Sequence, residues 1–94
     1  MADEDSFIKD PAARLDYTWD WSKWLADVAD TISSAMVVVP AGLTAVGPPV
    51  VSDTAVTQRV EGGTLDSVHT LVCQIITAGG LIDERSIHLT IADR

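Results

Sequence analysis

The stretch VHTLVCQIITAGGLIDERSIHLTI, Val68 to Ile91, decides how this chain folds. In its first half His69, Leu71, Cys73 and Ile75 alternate with Thr70, Val72, Gln74 and Ile76. In its second half Arg85, Ile87, Leu89 and Ile91 alternate with Ser86, His88 and Thr90. A period of two is that of a strand with one face in a core and one outside it. Between the halves, Ala78–Gly79–Gly80 offers the positive φ that a hairpin turn needs. The stretch therefore predicts two antiparallel, half-buried strands.

Working back along the chain, TAVTQRV predicts a strand that stops at Glu61–Gly62–Gly63. TISSAMVVV, Thr31 to Val39, is rich in β-branched residues and ends at Pro40, which cannot continue a ladder. PAGLTAVGPPVVSD is broken by prolines and glycines, so it predicts at most brief edge strands around Gly47–Pro48–Pro49. From Leu15 the sequence alternates again, placing Tyr17, Trp19 and Trp21 on one face. Trp21, Trp24, Leu25 and Val28 then fall at helical spacing, which predicts one helical turn over SKWLAD with Ser22 or Asp20 as its N-cap. MADEDSFIKDPAA is acidic and polar apart from Phe7 and Ile8, and predicts an arm over residues 1–13 that stays disordered until a partner covers those two residues. The expected fold is all-β: a small immunoglobulin-like Greek-key β-sandwich over residues 14–94, with an extended N-terminal arm and one short helical turn.

The 94 residues suit one domain, and 47% hydrophobic against 21% charged residues is enough to build a core. A net charge of −8 repels phosphate backbones and anionic headgroups, which argues against nucleic acid and membranes as partners. No run approaches the roughly 18–20 apolar residues of a membrane span, and the acidic start is unlike a signal peptide. A soluble protein made in the cytoplasm is expected. With one cysteine, Cys73, packing alone must hold the fold.

Chemistry-bearing residues are few. His69 belongs to the apolar set of its strand and His88 to the polar set of the next, so the two histidines are expected on opposite faces. Cys73 shares a face with His69, yet two strand positions of that spacing lie roughly 13 Å apart, too far for proton transfer. Cys73 reads as a small buried hydrophobe. No cluster has the ligands of a zinc site or the spacing of a calcium loop, so neither metal nor cofactor is expected, and no catalytic residues are assigned. The glycine pairs in VEGGT and TAGGL lack the lysine and helix start of a phosphate loop and read as turns.

The stretch DYTWDWSKW holds all three tryptophans and the only tyrosine. Tyr17, Trp19, Trp21 and Trp24 can form a structural aromatic cluster, in a core or at an interface, since each buried ring contributes roughly 1.5–3 kcal/mol. A stacking platform for a sugar, with Asp16, Asp20 and Lys23 around it, and a membrane belt remain alternatives.

At these residues the chain resembles a known group. DPAARLDYTWDWSKWLAD, then DTI, VTQRVEGGT and VHTLVCQIITAGGLIDERSIHLTI, in that order and spacing, are similar to small phage and prophage virion proteins, the fiber–tail adaptor proteins. The resemblance covers nearly everything from Pro11 onward. It implies an immunoglobulin-like sandwich, a structural role in the tail or neck of a virion and no catalysis. The family pattern carries a glycine near Val28–Ala29 and an aromatic residue where His69 stands, and PAGLTAVGPPVV is more apolar here than that pattern.

Such an adaptor would join tail or neck proteins to fibers or to neighbouring subunits, in multiple copies per particle, through the open edges of the sandwich and the N-terminal arm. The expected partner-binding residues are Phe7 and Ile8 on the arm and Val46, Val50 and Val51 in the proline-rich segment, whose breaks keep them from all turning into the core. A carbohydrate-binding module using the tryptophans and a head decoration protein are the alternative functions.

Overall fold

The computed structural model describes residues 5–93. Its framework is the hairpin of β7 (Val68–Thr77) and β8 (Ile82–Ile91), paired antiparallel from Val68 opposite Thr90 to Ile76 opposite Ile82. The turn between them reaches positive φ at Gly80 alone, φ 89°. Gly79 serves differently: a Cβ there would lie 2.7 Å from Asp30 Oδ2, whose carboxylate accepts the Gly79 N–H. A side chain at Gly79 would have to displace that carboxylate from its place over the turn.

β3 (Ile32–Val38) flanks β7, and β1 (Asp5–Lys9) flanks β8, giving a four-stranded sheet in the order β1-β8-β7-β3. The second sheet centres on β6 (Ala55–Gly62), with β2 (Arg14–Asp20) along one side and β4 (Leu43–Ala45) and β5 (Val50–Val51) along the other. β4 and β5 both run antiparallel to β6, so they are two pieces of one interrupted edge strand. The interruption is held by Gln58, buried on β6, whose Nε2 donates to the Gly47 and Arg59 carbonyls. The prolines that break the ladder are thus accommodated by a side chain that restores part of it.

The two sheets face each other across one core. Tyr17 and Trp19 from β2 and Val56 and Val60 from β6 meet Leu71, Cys73 and Ile75 from β7 and Ile87, Leu89 and Ile91 from β8. This all-β, two-sheet arrangement with one short helix is the fold class the alternating segments predict. The helix, α1 (Ser22–Val28), closes one end of the core with Leu25, while Trp21 just before it is completely buried.

Three local details differ from expectation. Trp21, not Ser22 or Asp20, occupies the N-cap, and Asp20 acts from one position earlier, its Oδ1 accepting the Ser22 N–H at 2.8 Å. The geometry follows from Trp21 being pinned in the core, which leaves the exposed aspartate to satisfy the first free amide. In the β7–β8 turn, Ala78 and Gly79 do not take positive φ.

The N-terminal segment is the third difference. Residues 5–9 are not a free arm: β1 pairs in parallel with β8, Asp5 opposite Ile87 through Lys9 opposite Ile91. Phe7 lies 5.4 Å from the Tyr17 ring, and Lys9 is completely buried with its Nζ donating to the Asp10 and Gly62 carbonyls, at 2.9 and 2.6 Å. Burial pushes the Lys9 pKa down, against the nearby Asp10 and Glu61, which pull it up. Ladder bonds and the lysine's two carbonyl contacts offset the ordering entropy that side-chain composition alone leaves uncompensated. The acidic start, residues 1–4, lies outside the described residues.

Candidate functional site

Residues from both sheets meet at the α1 end of the sandwich. The Trp21 indole donates to Asp83 Oδ2 at 2.8 Å, and the Arg85 guanidinium sits 5.1 Å from the centre of the same ring. Arg85 Nη1 donates to the Asp20 carbonyl at 2.9 Å, and its Nε lies 3.6 Å from Asp83 Oδ2. The Ser22 backbone holds the Asp20 carboxyl below the usual range, with Arg85 adding to it. Trp24, half-buried, borders a recess shared with Asp27, Asp83 and Arg85. Of the aromatic residues singled out in the sequence, Tyr17, Trp19 and Trp21 are buried and only Trp24 offers part of a ring to solvent. A stack of exposed rings is not formed.

The nucleophile and base candidates are kept apart. Cys73 is buried in the core, and burial pushes its thiol up to about 12. His69 faces the same interior, half-buried, its Nε2 accepting the Thr64 N–H at 3.2 Å. His88 lies on the opposite face of the sheet, 2.9 Å from the Thr70 hydroxyl on the neighbouring strand. Strand parity set these directions, and it separates the two imidazoles. Among the described residues no three of His, Cys, Asp or Glu cluster as a metal site would require.

The outer faces of the two sheets differ sharply in chemistry. On the β2–β6 face, Arg14 pairs with Glu61 at 2.7 Å, Asp16 with Arg59 at 2.8 Å and Thr18 with Thr57 at 2.8 Å, each directly across the strands. Arg59 holds the Asp16 carboxyl below its ordinary range, and Asp16 raises Arg59 in return. This is a solvated ladder of polar cross-strand pairs. The other sheet's outer face instead exposes Val68 and Ile76 from β7, Ile82 from β8, Met36 and Val38 from β3, and Ile8 from β1.

The rims carry the residues expected to bind partners. At the β1/β2 rim, Phe7 and Ile8 border a groove with Leu15 and Tyr17, and Phe7, Ile8 and Leu15 are exposed. At the opposite rim, Val50 is two-thirds exposed (67%) and Val51 is exposed, whereas Val46 is half-buried, its N–H bonded to the Arg59 carbonyl at 2.9 Å. Phe7 and Ile8 therefore lie on the far side of the sandwich from Val46, Val50 and Val51. Sequence reasoning passed over Met36, Val38, Ile76 and Ile82. One signal pointed to the first two: residues 31–52 contain no charged side chain.

Residues 9–90 match the sequence model of the family described as Podophage GP4 fiber-tail adaptor protein gp77. No curated protein matches the chain.

Proposed function

The chain belongs to the podophage fiber-tail adaptor family, and on that premise we propose that it is a non-enzymatic connector whose two opposite rims dock two different virion proteins. The family implies a place in the phage tail and contacts with tail or fiber proteins. At the first rim, Phe7 and Ile8, with Leu15, meet one partner; at the second, Val50 and Val51, with Val46 behind them, meet the other. Several copies repeat these contacts around the tail. The protein is made in the host cytoplasm and engages neither nucleic acid nor membrane, in keeping with its charge of −8.

The observation that supports this reading most is the exposure of apolar side chains at both rims, in a molecule that covers one outer face with ion pairs. A connector needs two separate adhesive surfaces and a rigid body between them, and the fully buried core supplies the latter. The test uses two variants, Phe7→Ser with Ile8→Ser, and Val50→Ser with Val51→Ser, each added to tails lacking the native protein. Each should fold, and each should lose a different partner. If both restored fiber attachment at the native level, neither rim would be a docking surface.

A further inference from the structure

We propose that β3 is the strand that accepts a partner, by adding to its open edge one extended segment of another virion protein, uncharged along its middle and bearing a lysine or arginine at one end. The proposal rests on the adaptor reading and specifies which edge of the second rim docks and what it takes.

The four edges are not equivalent. A free strand edge presents unpaired N–H and C=O groups, and proteins guard such edges with charges, prolines, bulges or short length. β2 carries Arg14, Asp16 and Asp20, and β4 and β5 are short pieces separated by Pro48 and Pro49. β1 is five residues long. β3 runs for seven residues, Ile32 to Val38, with neither charge nor proline. Its only irregularity is a register shift between Ile32 and Ser34, at its start. Among the described strands β3 pairs with β7 alone. The side away from β7 is occupied at Ile32, whose N–H bonds the Asp53 carbonyl at 3.0 Å, leaving Ser34 to Val38 open.

The edge dictates the chemistry of its occupant. Alternating donors and acceptors are satisfied by another extended backbone, the β-augmentation mode of recognition. Met36 and Val38 stand exposed on the outer face, 56% and 54%, so the added strand must present apolar or β-branched side chains there. A charged side chain beside them would add little to that apolar contact and would be partly desolvated against it. At the Ile32 end the exposed carboxylate of Asp53 has no hydrogen bond among the described residues, and a cation on the incoming strand would pair with it. A second copy of this chain does not supply that strand: its own β3 has no cation, and it brings a further −8. β1, the first described strand, lies at the other edge of the sheet.

Hydrogen exchange tests this, comparing β3 amides in the free protein with those in purified tails of the same phage. The amides of Ser34 to Val38 that face away from β7 should exchange freely in solution and become protected in tails. Met36→Lys, at an exposed site that leaves the core intact, should keep the melting temperature and lower incorporation by about tenfold or more. Unchanged β3 exchange in tails that contain the protein would overturn the choice of β3 and leave the adaptor role standing. Absence of the protein from tails would overturn the adaptor role itself. A free protein that is dimeric, with β3 already protected, would mean that a second copy is the occupant and would also overturn the proposal.

Discussion

Trp21 and Asp83 are joined by a 2.8 Å hydrogen bond that ties the start of α1, in the middle of the aromatic stretch, to the strand after the final hairpin turn. Trp19, two residues earlier and equally part of the core, has its indole Nε1 buried with no acceptor among the described residues. The two tryptophans therefore contribute differently. Trp21→Ala should cost about 3–5 kcal/mol in denaturant unfolding, as truncation of a buried large aromatic does. Asp83→Ala should cost about 1–3 kcal/mol, because it strands the Trp21 donor in the core. Trp19→Phe should cost less than Trp21→Phe, since it removes a donor that has no partner.

Ala29 ends α1 in the left-handed region, φ 52°, with its N–H on the Ala26 carbonyl and that of Asp30 on the Leu25 carbonyl. This paired closure is usually built on glycine, and a β-carbon there costs roughly 1–2 kcal/mol. Ala29→Gly should therefore raise stability by about 1 kcal/mol in chemical denaturation. A decrease would show that the helix terminates differently in solution.

Asp30 links the end of α1 to the β7–β8 turn. The Thr77 hydroxyl, then the Thr31 and Gly79 amides, hold its carboxyl below the ordinary range. A carboxylate depressed in the folded state stabilises above its unfolded pKa and loses that contribution as pH falls through the folded value. Asp30→Asn should thus be less stable than the native chain at neutral pH, and the gap should narrow in unfolding curves taken below about pH 4. Asp16 and Asp20, depressed by Arg59 and by the Ser22 backbone, add slope of the same sign.

β1 should be stable in the isolated protein. Removing residues 1–9 would uncover Tyr17 and Leu89 and delete the Lys9 contact to the Gly62 carbonyl. Truncation should lower the melting temperature by several degrees, as loss of one or two kcal/mol does in a domain of this size. An unchanged melting temperature would restore the picture of a detachable arm.

Periodicity carried most of the fold. β6, β7 and β8 announce themselves by alternation, because each buries one face, and the prolines at 40, 48 and 49 mark where the ladder breaks. β1 was hidden because its inward positions include Lys9, a residue type whose burial depends on two distant carbonyls that no local pattern reveals. The opposite directions of His69 and His88 were legible from parity alone. The openness of β3 was not: the charge-free run is visible in the sequence, but an edge is a property of strand order, and β3 lies beside β7, far along the chain.

Cross-linking mass spectrometry of purified virions tests the connector role most directly. The chain should be present in particles, and its cross-links should reach both a tail subunit and a fiber subunit, from opposite rims of the sandwich. Its absence from particles, or cross-links confined to head proteins, would contradict it.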